Sequence, residues 1–265
     1  MTAIAVTIAG SDSGGGAGIQ ADLKTFSALG VYGASVITAL TAQNTKGVTG
    51  IHDVPPDFIA AQIDAVFSDL KVSAVKIGML SQPETIAAVA AGLDRHAQRN
   101  VVLDPVMVAT SGDKLLRPEA VESLCRLLMP KALLVTPNLP EAAALLDSPV
   151  ARGEVAMREQ AEKLLELGAK AVLIKGGHDD GPESVDLLVE RHAVVRLAAS
   201  RVKTRNTHGT GCTLSSAVAA GLAKGLPLAD AVRAAKDYVT AAIGAASQIT
   251  IGSGHGPVHH FHRWW

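Results

Sequence analysis

Short apolar runs alternate with longer amphipathic stretches along most of the chain. Each run has four to six residues, a usual length for a buried strand, and the stretches between them repeat apolar positions every three or four residues, as helices do. Strands separated by helices predict βαβ units and therefore a mostly parallel sheet. The predicted strands of this part are Ile4–Ala9, Ser35–Leu40, Ala74–Gly78, Val101–Asp104, Leu133–Thr136 and Ala171–Lys175.

The predicted helices fill the intervals, and several have proline in or near the first turn, where its missing N–H costs nothing. After the last strand, the runs Asp186–Val189 and Val194–Leu197 predict an antiparallel hairpin at one edge of the sheet. Ser148–Glu154 is the best loop candidate. The predicted helices are Ile19–Leu29, Asp57–Leu70, Pro83–His96, Pro118–Leu128, Pro140–Leu146, Arg158–Leu167, Thr213–Lys224 and Leu228–Ala246.

The composition suits a single α/β domain over residues 1–265. Hydrophobic residues make up 48% of the chain and aromatic residues 3%, so the core is mainly aliphatic, as in buried parallel sheets. Lys and Arg total 24 against 25 Asp and Glu, and the net charge of −1 provides no field for nucleic acid or an anionic membrane. Two cysteines, no signal peptide and no apolar stretch near the roughly 20 residues of a membrane span predict a cytoplasmic protein.

Polar residues stand where three central strands end. They are Asp104, Asn138 (in Thr136-Pro137-Asn138) and Lys175. Ligands of open α/β sheets bind at this edge. Ordinary polarity at strand ends would explain one such residue, whereas a carboxylate, an amide and an ammonium group together favour a binding site.

The segment Gly209-Thr210-Gly211-Cys212 precedes a predicted helix. Free N–H groups and the dipole at a helix start attract phosphate, and no Gly-Lys-Ser/Thr of a Walker A loop is present. A cysteine in the first turn is expected to have a lowered pKa, so that Cys212 could accept a proton during phosphoryl transfer. The alternative is a glycine turn with a buried thiol, like the thiol expected for Cys125 on its amphipathic helix.

A glycine-rich run, Gly10 to Gly18, follows the first strand. Gly16-x-Gly18-x-x-Ala21 formally fits a dinucleotide fingerprint, but the second strand lacks the acidic residue that this motif needs, so a substrate loop is favoured. Asp22 lies on the next helix and Gln43 follows the second strand. A Gln amide donates and accepts at once, which suits a heterocycle edge; a solvated surface position is the alternative for both residues.

Magnesium is expected at the same edge. Asn138 and Glu141 place an amide and a carboxylate three positions apart around a helix start. Mg²⁺ takes few protein oxygens, and Glu141 and Asp104 are candidates, directly or through water, while Lys175 can neutralise phosphate. Compensation of the helix dipole is the alternative role of Glu141. Four histidines between His255 and His262 have no cysteine or acid beside them, so packing is favoured over a metal site.

The chain resembles the hydroxymethylpyrimidine/phosphomethylpyrimidine kinases of thiamine biosynthesis, in the ribokinase-like superfamily, from about Ile4 to His260. One departure is Ser13-Gly14 in the first loop, where the family commonly has Pro-Ser. Seven blocks in order carry the resemblance: Thr7-Ile8-Ala9-Gly10-Ser11-Asp12, Ala39-Leu40-Thr41-Ala42-Gln43-Asn44-Thr45, Lys76-Ile77-Gly78-Met79-Leu80, Leu103-Asp104-Pro105-Val106-Met107, Thr136-Pro137-Asn138-Leu139-Pro140-Glu141, Lys175-Gly176-Gly177-His178 and Asn206-Thr207-His208-Gly209-Thr210-Gly211-Cys212.

The resemblance implies a three-layer α/β/α kinase that uses ATP and Mg²⁺ on a small pyrimidine substrate, and a homodimer. It implies that Cys212 replaces the Asp of sugar-kinase members. The implied anion hole is Gly209, Thr210 and Gly211. The implied pyrimidine pocket is Gln43, Asp22, Gly10 and Met79. The residues implied for Mg-ATP are Asp104, Asn138, Glu141 and Lys175.

Three functions are weighed for these residues, two enzymatic activities and one binding role. The first is phosphorylation of the pyrimidine alcohol and then of its monophosphate. The second is phosphorylation of pyridoxal or pyridoxine, since close relatives accept vitamin B6 and Gln43 does not exclude a pyridine. The third, a silent pyrimidine sensor, predicts loss of the transfer groups, yet Cys212, Asp104 and Lys175 are present.

Overall fold

The computed structural model describes residues 2–107, 118–177 and 181–265, so His178 and the segment 108–117 lie outside the described residues. In this part of the chain the strands are β1 Ile4–Ala9, β2 Tyr32–Ile37, β3 Ala39–Asn44, β4 Gly47–Asp53, β5 Ala74–Ile77, β6 Val101–Leu103, β7 Leu134–Val135, β8 Ala171–Lys175, β9 Glu183–Glu190 and β10 Ala193–Ser200. The α-helices are α1 Gly18–Ala28, α2 Pro56–Asp69, α3 Pro83–Arg95, α4 Pro118–Leu127, α5 Leu139–Leu145, α6 Gly153–Glu166, α7 Thr210–Ala223 and α8 Leu228–Gly244.

The main sheet has eight strands in the order β10-β9-β8-β7-β6-β5-β1-β2. The strands from β2 to β8 in this order pair in parallel, whereas β8–β9 and β9–β10 are antiparallel. The predicted fold class, a mostly parallel sheet with an antiparallel edge hairpin, is confirmed. That residues 1–265 form a single domain stays a prediction.

Helices cover both faces of the sheet, because its strands are apolar on both sides. On β1, for example, Val6 and Ile8 belong to the core beneath α2 to α6, whereas Ala5 belongs to the core beneath α1, α7 and α8. This alternation follows the period of two of a strand. The result is the three-layer α/β/α arrangement that the resemblance implies. Within the described ranges, none of the helices has the length and apolar character that a bilayer span requires.

Helix α7 is built almost entirely of small and aliphatic residues and is buried along nearly its whole length. A helix that is apolar all round belongs in the interior. It packs against both α1 and α8, which fixes the direction of its N-terminal end. That end carries the glycines and the cysteine singled out above.

The second predicted strand was wrong in its bounds. The strand β2 runs over Tyr32–Ile37, and the next residues form a separate antiparallel pair, β3–β4, that the sequence pattern did not predict. The backbone of Thr38 marks the break, since its N–H still bonds to Ala9 while Val54 bonds back to its carbonyl oxygen. Gln43 therefore lies on a strand. Helix α6 also begins earlier than expected, at Gly153 inside the predicted loop.

Candidate active site

A cavity of about 700 Å³ opens at the carboxyl edge of the parallel strands. Its wall includes the ends of β1, β6 and β8, the strand β3 and the first turns of α5 and α7. Eleven of the twelve predicted site residues line it, and Asp22 is the exception. The eleven are Gly10, Gln43, Met79, Asp104, Asn138, Glu141, Lys175, Gly209, Thr210, Gly211 and Cys212.

The N-terminus of α7 forms one end of the cavity. The helix starts at Thr210, so Gly211 and Cys212 lie in its first turn, where backbone N–H groups have no intrahelical acceptor. Gly209 has φ +77°, and a Cβ atom there would lie 1.9 Å from the carbonyl oxygen of Gly16. Glycine is therefore required at this position for two separate reasons, a left-handed backbone and direct packing against the first loop.

The thiol of Cys212 does not have the expected lowered pKa. Burial raises its pKa to about 11, and the nearby carboxylates of Asp22 and Asp104 act in the same direction. The charge of Lys76 and a hydrogen bond from the Gly18 N–H oppose the rise without cancelling it. The helix-start argument was wrong about the resting state, because desolvation and two carboxylates outweigh the favourable N-terminus of α7.

Lys175 and Asp104 form a buried ion pair beside the glycines of α7. The Lys175 Nζ lies 3.1 Å from Asp104 Oδ1 and 4.0 Å from Glu141 Oε2. Thr136 and Ser215 donate hydroxyl hydrogen bonds to Asp104 at 3.0 and 3.1 Å. Burial opposes ionisation of Asp104, but the charges of Lys175 and Lys76 outweigh it and lower the pKa of Asp104. The pair is therefore ionised.

Asn138 and Glu141 form a capping box at the start of α5. Glu141 Oε2 accepts from the Asn138 N–H, and Asn138 Oδ1 accepts from the Glu141 N–H, both at 2.8 Å. The structural role considered for Glu141 is therefore real. Burial raises the pKa of Glu141 to about 7, against the opposing charge of Lys175. Its protonation state consequently responds to anything positive that enters the cavity.

No cluster of three or more His, Cys, Asp or Glu side chains in the described residues is arranged to hold a metal ion. Asp104 and Glu141 fit a Mg²⁺ ion that takes most of its ligands from phosphate and water. Of the C-terminal histidines, His259 and His260 are buried in the packing of the chain, whereas His255 is exposed. The buried His260 Nε2 lies 3.0 Å from the hydroxyl of Thr213, which donates to the carbonyl oxygen of Gly209.

Gly10, Met79 and Gln43 line the same cavity, and Gln43 does so from β3. A Cβ on Gly10 would lie 2.6 Å from Met79 Cε, so the two residues are packed in contact. The backbone N–H and carbonyl of Gln43 both bond to Ser13 Oγ at 2.8 Å. Ser13, which departs from the family pattern, therefore ties the first loop to β3.

Asp22 does not reach the cavity wall, and the expected direct contact with substrate does not fit its position. Its side chain is fully buried and takes hydrogen bonds from Thr7 at 2.6 Å, from Ser216 at 2.6 Å and from Lys76 at 2.9 Å. A carboxylate that is enclosed and fully bonded has no atom left for a ligand. The alternative of a solvated helix residue is wrong as well.

Sequence analysis missed a buried pair that joins the two glycine segments. The Asp12 carboxylate lies 2.8 Å from His208 Nε2 and accepts from the N–H groups of Gly14, Gly16 and Ala17 at 2.8 to 3.0 Å. These bonds outweigh burial and lower the pKa of Asp12. The signal was available, since Asp12 sits in a glycine run and His208 directly precedes Gly209.

A second missed pair, Lys236 and Asp186, lines the same cavity near β8. The Lys236 Nζ lies 2.7 Å from Asp186 Oδ2, and Asp186 Oδ1 accepts from the Gly176 N–H at 3.0 Å. The two residues lie on α8 and β9. The pair therefore fixes the backbone that follows Lys175.

Comparison with known proteins places this geometry among vitamin kinases. The family model described as phosphomethylpyrimidine kinase matches residues 12–259. The hydroxymethylpyrimidine/phosphomethylpyrimidine kinase of Rhizobium meliloti is 66% identical over 265 residues, covering 100% of this chain and 99% of that protein. The structure of phosphomethylpyrimidine kinase from Clostridium difficile has 48% identity and a TM-score of 0.80 and covers 91% of this chain and 99% of that one. The ADP complex of Bacillus subtilis pyridoxal kinase has 38% identity, a TM-score of 0.91 and 98% coverage of both chains.

Proposed function

The chain belongs to the phosphomethylpyrimidine kinase family, and from that premise we propose that it transfers the γ-phosphoryl group of ATP to 4-amino-5-hydroxymethyl-2-methylpyrimidine. A second transfer to the resulting monophosphate then yields the diphosphate for thiamine biosynthesis. The observation that carries the proposal is the convergence of Lys175 and the α7 N-terminus on one space. A Cβ at Gly211 would lie 3.4 Å from Lys175 Nζ and 3.8 Å from Asp104 Oδ2.

The phosphate end of the cavity supplies charge stabilisation. Phosphoryl transfer passes through a loose transition state, so catalysis is mostly positioning and electrostatics. The N–H groups of Gly209 and Gly211 hold the transferred phosphoryl group, and Lys175 neutralises its charge. The Thr210 N–H already donates to the carbonyl oxygen of Thr207 at 3.2 Å, so in this structure Thr210 contributes through its place between the two glycines. Asn138 and Asp104 position the nucleotide. When bound through Glu141 and Asp104, directly or through water, Mg²⁺ neutralises the phosphate oxygens.

The pyrimidine end supplies recognition. Gln43 presents an amide that donates to a ring nitrogen and accepts from the neighbouring amino group. Gly10 and Met79 provide an apolar surface for the ring, and the absence of a side chain on Gly10 keeps that surface open. Asp22 contributes indirectly, by holding the helix start at Gly18 against the site.

Cys212 is the proposed proton acceptor for the substrate hydroxyl. Its thiol is protonated at rest, because its pKa is raised to about 11. A loose transition state delays the need for a base until the oxygen–phosphorus bond forms. At that moment the positive charges of the reacting complex, together with the charge of Lys76, favour the thiolate form of Cys212.

Pyridoxal phosphorylation is the second candidate activity, favoured by the similarity to the Bacillus subtilis pyridoxal kinase. An assay of ADP release with the pyrimidine alcohol, its monophosphate and pyridoxal, each at matched concentrations, separates the two. We expect turnover of both pyrimidines, with kcat/KM for pyridoxal at least tenfold lower. Absence of turnover with either pyrimidine would remove the proposed function, and preference for pyridoxal would exchange it for the second candidate.

We further propose a homodimer and a cytoplasmic location. Leu40 on β3 and Phe58 on α2 are 47% and 60% exposed, whereas Ile51 pairs with Thr41 and so lies on the other face of the β3–β4 pair from Leu40. Large apolar side chains left exposed at a surface favour a protein interface. The two free thiols, Cys125 and Cys212, are partly accessible, which suits a reducing compartment.

A further inference from the structure

Lys76 is a fully buried charged side chain whose only part in the proposed reaction is its charge near the Cys212 thiol. It is the third residue of the central strand β5, with 0% exposure, in the otherwise apolar run Ala74-Val75-Lys76-Ile77. Its Nζ lies 3.0 and 2.9 Å from the two oxygens of Asp22, whose side chain is equally buried. Burial of an ion pair is costly, and a hydrophobic pair would fill the same space more cheaply. The pair therefore calls for a functional explanation.

Four elements converge on the pair. Thr7 on β1 is the direct strand neighbour of Lys76 and donates to Asp22 at 2.6 Å. Ser216 on α7 also donates to Asp22, at 2.6 Å. All the donors of this cluster point to one carboxylate, so the Asp22 side chain is fixed in place.

The cluster lies one helical turn from Cys212. On α7, Cys212 and Ser216 are four positions apart and share a face; on α1, Gly18 and Asp22 do the same. The Gly18 N–H bonds to the Cys212 sulfur, and Asp22 bonds to Ser216, so the two helices meet in two successive contacts. The second contact includes Lys76, because its Nζ bonds to the same Asp22 carboxylate as Ser216, which lies one turn of α7 beyond Cys212.

We propose that the Lys76–Asp22 pair sets the charge state of Cys212, with Lys76 as the cation that stabilises the thiolate and Asp22 as the anion that holds Lys76 and limits its effect. The two are positioning residues, because Asp22 does not line the cavity and the Nζ of Lys76, which does, is held by both oxygens of Asp22. The remaining charges around the thiol are Asp104 at the end of β6 and Lys175 on β8, which neutralise each other in their own ion pair.

The pair acts on one proton transfer, and its catalytic meaning rests on the proposed function. The substrate O–H bond breaks and an S–H bond forms on the thiolate, while the substrate oxygen bonds to the γ-phosphorus and the bridging oxygen leaves with ADP. The thiolate must exist before this step. The electrostatic interaction of Cys212 with Lys76 favours it and the interaction with Asp22 opposes it.

The test uses alkylation of Cys212 by iodoacetamide, followed by peptide mass spectrometry between pH 7 and 9. Asp22→Asn keeps the shape and one acceptor oxygen but leaves the Lys76 charge unopposed. We expect alkylation of Cys212 to become at least about threefold faster, because a tenfold gain in thiolate is partly offset by its lower nucleophilicity. An unchanged or slower rate overturns the proposal.

Lys76→Met provides the opposite arm. Removal of the cation is expected to slow alkylation at least about threefold, even though the same ion pair is broken. A purely structural role moves both variants in the same direction, toward faster reaction of a loosened site, and that result also overturns the proposal. Because Lys76→Met leaves a buried carboxylate unpaired and folding is at risk, the Asp22→Asn arm is decisive alone.

Two controls accompany these variants. Asp94→Asn removes the carboxylate of another lysine ion pair, with Lys131 at the surface, and is expected to leave the alkylation rate unchanged. Cys125 on α4, in the same chain, reports general loosening. Alkylation needs neither ATP nor a pyrimidine, so charge control and the proposed function fail separately. In the kinase assay, Asp22→Asn is expected to shift the rise of kcat to lower pH.

Discussion

At the scale of single residues, two features of Cys212 have opposite effects on its thiol. Its position at a helix start favours the thiolate, whereas its pKa is raised. Replacement by alanine removes the proton acceptor but none of the N–H groups of the anion hole. We expect Cys212→Ala to lower kcat by about 10²-fold or more, with KM for the pyrimidine changed only a few-fold. Wild-type kcat is expected to rise with pH from 6 to 9, since the thiol pKa lies near 11, and the variant to lose this rise. Near-normal turnover in Cys212→Ala would remove the thiol from the mechanism.

Gln43 tests recognition independently of transfer. Alanine at this position leaves a ring edge without partners in a half-buried pocket. We expect Gln43→Ala to weaken binding of the pyrimidine alcohol by about 1–3 kcal/mol in calorimetry, while ADP affinity stays within twofold. Equal affinity of variant and wild type for the pyrimidine would place the Gln43 amide outside the recognition site.

The raised pKa of Glu141 predicts that the free energy of unfolding depends on pH. Its pKa is raised from 4.5 to about 7, so the folded chain holds this proton more tightly than the unfolded chain. The resulting stability is fully present below pH 4.5 and is lost as the pH rises through 7, at a cost of up to about 3 kcal/mol. Glu141→Gln keeps an oxygen for the capping box and removes the titration.

We therefore expect Glu141→Gln to gain about 2 kcal/mol more stability over wild type at pH 8 than at pH 5, measured by urea unfolding. Glu162→Gln, in an exposed pair with Arg158, is the control and is expected to show no such difference. Equal changes at both pH values in Glu141→Gln would mean that the carboxylate is ionised throughout this range.

The residues at the site divide into those that chemistry and position make predictable and those that depend on distant partners. The predictable residues stand at the ends of strands: Lys175 is the last residue of β8, Asp104 directly follows β6, and Asn138 follows β7. The sheet edge brings them together as expected. The charge state of Cys212 was not predictable from its own neighbourhood, because it depends on burial in the folded chain and on Lys76 and Asp22, which lie far away in the sequence. Lys76 carried a readable signal, a lone charge within an apolar strand, which is typical of a buried ion pair.

At the scale of elements, the start of α7 is the part most sensitive to a single methyl group. A Cβ at Gly209 would overlap the Gly16 carbonyl oxygen in addition to a φ of +77°. Gly225, at the other end of the helix, has φ +84° and open space around it, which makes it a matched control. We expect Gly225→Ala to cost about 1 kcal/mol through φ alone.

Gly209→Ala is expected to cost more than Gly225→Ala in urea unfolding and to lower kcat at least tenfold, because the first loop has to move away from the anion hole. Equal losses of stability, with normal turnover in both, would show that Gly209 serves only the backbone angle.

The β3–β4 pair shows where sequence patterns fail for an element. Residues Ala42 to Gly47 read as a polar loop, because the strand is exposed on one side and half-buried on the other, with an irregular register between Ala42 and Gln43. The inner strands β1, β5, β6 and β8 of the main sheet were recognised because both of their faces are buried. A two-stranded ribbon outside the sheet has no such apolar run.

At the scale of the whole molecule, the β3–β4 pair is also the proposed dimer contact. Leu40 is 47% exposed there, and Val194 is 41% exposed on the outer strand β10, at the far edge of the main sheet. Each can be replaced by aspartate to place a charge on an apolar surface of similar exposure. We expect sedimentation at micromolar concentration to show a dimer for wild type and Val194→Asp and a monomer for Leu40→Asp. A dimer in all three proteins would move the contact elsewhere.

The overall architecture was predictable because local patterns and layer packing agree along nearly the whole chain. What could not be predicted were contacts between segments at opposite ends of the sequence. Asp12 and His208 are 196 positions apart, and only the folded chain shows that one carboxylate holds both glycine segments.

The C-terminal segment gives this architecture a consequence for biosynthesis. Pro257 forms a bridge with His208, and His260 contacts the Thr213 hydroxyl that bonds to Gly209. The parallel strands can pair while the chain is still being made, since domains fold from the N-terminus during translation. The anion hole lacks its support until residue 260 has emerged from the ribosome. We therefore expect a nascent chain to acquire its sheet before the support of its phosphate-binding end is complete.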